Sequence, residues 1–133
     1  MSNPKILIVD DDEGIRTQLK WGLEDYEVIT AASRLHAMEL FDLHHPPLVT
    51  LDLGLPPDAE GTSEGFATLK AIMQKAPETK VVIVSGSEDF GNAEMARNNG
   101  AFEFYPKPVE LDRLQKVIKL AYTDYTNTQN RHV

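Results

Sequence analysis

Lys5-Ile6-Leu7-Ile8-Val9-Asp10-Asp11-Asp12 is the stretch on which the reading of this chain turns. A short aliphatic run, mostly β-branched, reads as a strand. It passes directly into three consecutive carboxylates, which places a dense negative charge at the carboxyl end of that strand. The same rhythm of strand, polar end and amphipathic stretch continues along the chain. Alternation of this kind implies a parallel sheet with helices on both faces.

After the acidic triplet, Ile15, Leu19, Gly22 and Leu23 fall on one helical face, with Trp21 beside them as core or interface packing. Glu27 to Ala31 reads as the second strand. The stretch Arg34 to Leu43 groups Ala37, Leu40 and Phe41, and Pro46-Pro47 closes that helix. Leu48 to Leu51 is the third strand, followed by a long polar loop from Gly54 to about Glu64. Phe66, Leu69, Ile72, Met73 and Ala76 form the stripe of a third helix, ended by Pro77. Lys80 to Val84 is the fourth strand. The helix after it, about Phe90 to Asn98, carries only a thin stripe of Phe90, Ala93 and Ala96 or Arg97, with Gly100 as its stop. Phe102 to Tyr105 makes a fifth strand, and Leu111, Leu114, Val117, Ile118, Ala121 and Tyr122 define a last helix. The expected fold is therefore a doubly wound α/β domain over residues 4–122. From Thr123 the apolar pattern dissolves, so residues 123–133 read as a frayed tail or the start of a linker.

The 133 residues, 41% of them hydrophobic, suit one globular domain with a real core. The absence of cysteine excludes disulfides, thiolate zinc sites and thiol nucleophiles. The sequence runs from Met1 straight into the first strand with no signal-peptide pattern, and no apolar run approaches the roughly 20 residues of a membrane span. A cytoplasmic location is the expectation. A formal charge of −8 argues against backbone-driven nucleic-acid binding, which needs clustered Lys and Arg.

In an open parallel sheet, ligands bind beyond the carboxyl ends of the strands, where the strand order reverses. Those ends here carry Asp10-Asp11-Asp12, Asp52, Ser85-Gly86 and Lys107-Pro108. Carboxylates with one hydroxyl and one ammonium suit a hard divalent cation and a phosphoryl group together. Two carboxylates about 4 Å apart repel by roughly 4 kcal/mol at an effective dielectric near 20, so a cation is needed to offset them. Mg2+ fits, since it takes one or two carboxylates plus phosphate oxygens. Asp52 would then be a carboxylate nucleophile forming an acyl phosphate, with Lys107 neutralising the developing charge.

These residues in this order resemble the receiver domain of bacterial two-component response regulators, from Lys5 to about Tyr122. The resemblance rests on Ile6 to Asp12, Leu51-Asp52-Leu53-Gly54-Leu55-Pro56, Val84-Ser85-Gly86, Gly100-Ala101 and Phe104-Tyr105-Pro106-Lys107-Pro108. It implies a flavodoxin-like (βα)5 fold with strand order 2-1-3-4-5. It further implies Mg2+ on Asp10, Asp11, Asp52 and the Gly54 carbonyl, and Asp52 as phosphoacceptor with Lys107 on the phosphate. Ser85 and Phe104 would be the switch pair, and the Lys107-Pro108 bond would be cis. The implied partners are a sensor histidine kinase as donor and, as an option, a second copy docked through the fourth helix, fifth strand and fifth helix. Residues 52–69 also look like the receivers of sigma-54-type regulators associated with PEP-CTERM/exosortase clusters. Those proteins continue into an ATPase and a DNA-binding unit that control transcription. Whether this chain is an excised receiver or a short protein stays open, as does its output.

Each motif has a plainer reading. Asp12 is assigned mainly to capping the first helix. Ser85-Gly86 and Lys107-Pro108 could be turns, and only their joint placement with Asp52 argues otherwise. His36, His44, His45 and His132 lack metal-site spacing and read as surface residues. The rival function is a magnesium-dependent phosphatase or a flavodoxin-like ligand binder on the same topology, which fold alone does not separate from signalling.

Overall fold

The computed structural model describes residues 3–86 and 90–130, with Phe90 described by its backbone alone. Its elements alternate strictly: β1 (Lys5–Val9), α1 (Glu13–Gly22), β2 (Glu27–Ala31), α2 (Arg34–His44), β3 (Leu48–Leu51), α3 (Ser63–Lys75), β4 (Lys80–Ser85), α4 (Phe90–Asn98), β5 (Glu103–Pro106) and α5 (Leu111–Asn130). The five strands form one parallel sheet in the order β2-β1-β3-β4-β5, as the resemblance implied. This is the flavodoxin-like arrangement, and its strand order reverses between β1 and β3.

Period-2 alternation divides the strand side chains between two cores. Leu7, Val9, Val49, Leu51, Val81 and Ile83 pack on one face with Ala37 and Phe41 of α2, Phe66, Leu69 and Ile72 of α3, and Ala96 of α4. Ile6, Ile8, Leu48, Val82 and Val84 pack on the other with Leu19 of α1 and Leu114, Ile118 and Ala121 of α5. The strands are therefore apolar on both sides. Only their carboxyl ends are left to present polar groups.

Local signals set the element ends. Asp12 caps α1 by accepting from the Ile15 amide at 3.2 Å, and the Ser33 hydroxyl accepts from the His36 amide at the start of α2. Gly100 follows α4 at φ +99°, a conformation a side chain resists, and an added Cβ would also meet the Met73 sulfur at 2.8 Å. The stripe residue Phe90, Ser87 and His132 carry sequence expectations whose side chains lie outside the described residues.

Two expectations are corrected. Trp21 is not a core residue but is 72% exposed. It follows Leu19 by two positions, roughly 200° around the helix, so the packing that buries Leu19 turns Trp21 to solvent. Residues 123–130 are not frayed, because α5 stays helical to Asn130. Its last turns are held by polar and aromatic contacts that apolar periodicity does not register. Lys80 Nζ meets Asp124 Oδ2 at 2.7 Å, Tyr122 and Tyr125 stack at 6.2 Å, and the Thr123 hydroxyl donates to the Lys119 carbonyl. Among the described residues no helix is long and apolar enough to cross a membrane.

Candidate phosphorylation site

Strand pairing continues one residue past each strand end and carries the chemistry with it. The Asp10 amide donates to the Ala31 carbonyl at 3.0 Å and the Asp52 amide to the Val9 carbonyl at 2.8 Å. Since Val9 is in register with Leu51, Asp10 and Asp52 emerge side by side on neighbouring strands. Parallel strands about 4.8 Å apart leave their terminal carboxylates close together. Asp10, Asp11 and Asp52 each offer an oxygen within 4.8 Å of the others. On the far side, the Lys107 amide donates to the Ser85 carbonyl at 2.9 Å, extending the β4/β5 pairing and bringing Lys107 over the same ends. The Lys107-Pro108 bond is cis, and so is Pro56-Pro57.

Lys107 Nζ lies 2.9 Å from Asp10 Oδ2 and 3.6 Å from Asp52 Oδ2. One ammonium thus serves two buried carboxylates, while Asp11 is exposed at the mouth. Burial is the main cause that pushes the Asp52 carboxyl up to about 6. The Asp10 charge adds to it and Asp11 adds less, against the opposing pull of Lys107 and the Gly54 amide. Burial pulls the Lys107 ammonium down, but the hydrogen bond and charge of Asp10, then the charge of Asp52, outweigh it and leave Lys107 raised. Three carboxylates against one ammonium make a site short of positive charge. That donor set fits a hard divalent ion with oxygen ligands.

A cleft of about 430 Å³ opens over these groups, lined by Asp11, Asp52, Gly54, Ser85, Gly86 and Lys107 and by residues 59–62. Every expected site residue except Phe104 belongs to this cleft or to the carboxylate group beneath it. Phe104 stands in β5 opposite Ile83, packs partly against the α2/α3/α4 core and lines a separate groove with Lys107, Arg113 and Val117.

Two features escape the sequence reading. Arg16 Nη1 donates to the Asp10 carbonyl at 2.7 Å, tying α1 to the end of β1. A basic residue one turn inside a helix that follows an acidic strand end is the only signal for it. The second is the wall of residues 59–62, which reads in sequence only as a long polar loop.

A response regulator receiver domain model matches residues 6–119. This chain belongs to the response regulator receiver domain family. Among the receiver's relatives, chemotaxis protein CheY of Listeria monocytogenes is 34% identical over 120 residues, covering 88% of this chain and 97% of CheY. Sporulation initiation phosphotransferase F of Bacillus subtilis is 30% identical over 121 residues, covering 90% of this chain and 94% of that protein. The crystal structure of NtrX from Brucella abortus superimposes with a TM-score of 0.87 at 31% identity, covering 98% of this chain but 28% of NtrX. The receiver thus matches some relatives along nearly their whole length and others over about a quarter. Receiver domains accept phosphoryl groups from histidine kinases and bind Mg2+ at an acidic pocket. The family decides between signalling and the phosphatase or flavin-binder reading, which the shared topology left open.

Proposed function

We propose that this receiver takes a phosphoryl group from a sensor histidine kinase onto Asp52, with Mg2+ held by Asp10, Asp11, Asp52 and the Gly54 carbonyl. The observation that carries the proposal is the position of Asp52 at the open end of β3, grouped with Asp10 and Asp11 and 3.6 Å from the Lys107 ammonium. When bound, the ion supplies positive charge against the transferring oxygens. An Asp52 carboxylate oxygen attacks phosphorus, the P–N bond to the donor imidazole breaks, and the imidazole leaves with a proton from solvent. Lys107 holds the transferred oxygens by charge, and the Ser85 hydroxyl, at the end of β4 in the same cleft, donates to one of them. Hydrolysis of the new bond between phosphorus and the Asp52 oxygen, giving the free carboxylate and inorganic phosphate, resets the protein.

Ser85 and Phe104 form the proposed switch. Residues 83 and 85 point to the same face of β4, and Ile83 is in register with Phe104, so both side chains belong to one side of the sheet. A phosphoryl group that draws the Ser85 hydroxyl inward vacates space toward Phe104, and inward transfer of the ring is favoured by roughly 1.5–3 kcal/mol at full burial. The readout surface is α4, β5 and α5, which also serves the proposed homodimer and an output in a longer protein. The reading includes a cytoplasmic location. It also includes kinship with the sigma-54-type regulators of PEP-CTERM/exosortase clusters, on the strength of residues 52–69.

Incubation with Mg2+ and a small acyl-phosphate donor, followed by intact mass measurement, tests the core of the proposal. Wild type is expected to gain one phosphoryl group and Asp52→Asn none. Wild-type uptake by the variant refutes Asp52 as acceptor.

A further inference from the structure

The segment after Asp52 is longer and better built than a connection between β3 and α3 requires, since such loops commonly take two to six residues. Leu55 is fully buried at its base. The Asp58 amide donates to the Leu55 carbonyl at 2.9 Å and the Gly61 amide to the Asp58 carbonyl at 3.1 Å, giving two consecutive turns. The Asp58 carboxylate then accepts from the Ser63 hydroxyl at 2.6 Å, fastening the loop to the first turn of α3. The next residue of that turn, Glu64, is tied across to α2, its Oε1 accepting from Arg34 Nε at 3.2 Å.

The fastened loop is folded back onto the site. Ala59, Glu60, Gly61 and Thr62 line the cleft that also contains Asp52, Ser85 and Lys107. Contact is close where it matters: a Cβ at position 54 would stand only 2.4 Å from the Ala59 carbonyl oxygen. Glycine, two residues after Asp52, lets the loop backbone lie against the site, and a larger residue there would displace the wall.

We propose that residues 58–63 are a positioning element for the phosphorylation chemistry, a fixed wall stapled by Asp58 and Ser63 that shields the acyl phosphate from water and so lengthens its life. The role rests on Asp52 being the phosphoacceptor. In the reaction it slows, a water oxygen attacks phosphorus and the bond from phosphorus to the Asp52 oxygen breaks. The products are the Asp52 carboxylate, inorganic phosphate and a proton released to solvent. The attacking water must enter opposite the Asp52 oxygen, through the cleft. A wall held in place narrows that entry, whereas an unfastened one admits water from the β3–α3 side. Asp58 is a positioning residue, acting on the chemistry only through the loop it holds.

The test is the dephosphorylation rate after acetyl phosphate is removed, in Mg2+, followed by intact mass on wild type, Asp58→Ala and Asp58→Asn. Asp58→Ala deletes the acceptor of the Ser63 hydroxyl and is expected to shorten the phosphoryl lifetime roughly three- to tenfold, the range of one ordinary hydrogen bond expressed in rate. Asp58→Asn keeps an oxygen acceptor and is expected to restore most of the lifetime. Mg2+ affinity, measured by calorimetry, is expected to be the same in all three, since Asp58 is outside the carboxylate group. Equal lifetimes in wild type and Asp58→Ala overturn the proposal, as does a shortened lifetime that Asp58→Asn shares in full. Wild type that takes up no phosphoryl group overturns instead the assignment of Asp52, and this proposal falls with it.

Discussion

Replacing Asp52 by asparagine is expected to make the metal-free protein more stable at neutral pH. Asparagine preserves the volume and an oxygen acceptor for the Gly54 amide, which donates to Asp52 at 3.3 Å, while removing the charge. The carboxyl is pushed from its ordinary 3.8 to about 6, first by burial and then by Asp10. Unscreened, that displacement corresponds to roughly 3 kcal/mol of unfavourable ionisation in the folded state. Solvent at the open mouth of the cleft reduces it to about 1–2 kcal/mol. The folded form holds its proton more tightly than the unfolded chain, so stability falls as pH rises between the two values. The wild-type penalty is thus absent below about pH 4 and fully developed above about pH 6. Urea unfolding in chelator, followed by far-UV circular dichroism, measures the difference at pH 8 and at decreasing pH. Asp52→Asn should be the more stable protein at pH 8, its advantage shrinking towards pH 4. Adding Mg2+ should reverse the order, because an ion that binds the folded wild type more tightly stabilises it by mass action. A variant no more stable than wild type at pH 8, or an advantage independent of pH, refutes the reasoning.

The other cleft residues give predictions of contrasting sign. Lys107→Met takes the ammonium from two carboxylates at 2.9 and 3.6 Å, and the metal-free protein should lose about 1–3 kcal/mol at pH 8, read in the same urea experiment; unchanged stability would show that the ion pairs contribute nothing net. Asp11→Ala removes the exposed member of the carboxylate group and should weaken Mg2+ by at least about tenfold, with calorimetric titration as the measure and an unchanged affinity as the contrary result. Hydrogen exchange with and without beryllofluoride should show altered protection in α4, β5 and α5 for wild type but not for Ser85→Ala. Changes confined to the loops around Asp52 and Lys107 in both proteins would disconnect Ser85 and Phe104 from the response.

Much of this protein is determined by its sequence alone. Short β-branched runs alternating with helical stripes dictate a parallel sheet covered on both faces, because every strand then has two apolar sides to bury. Polar residues placed at or just after the strand ends can only collect at a single edge, which is why Asp10, Asp52, Ser85 and Lys107 are legible as one group in the sequence. What the sequence could not decide depends on contacts between distant segments. Trp21 belongs by composition with Leu19 but faces solvent, since orientation is settled by which helical face the sheet covers. Residues 123–130 carry no apolar stripe, and their helix is held by Lys80 and by a tyrosine stack, neither of which has a period to read. Tertiary structure alone turned the polar segment after Asp52 into a wall of the cleft, because its placement depends on the Asp58–Ser63 fastening and on the room that Gly54 leaves beside Ala59. Periodicity reports burial against a regular surface, whereas hydrogen bonds between irregular segments leave no repeating trace in a sequence.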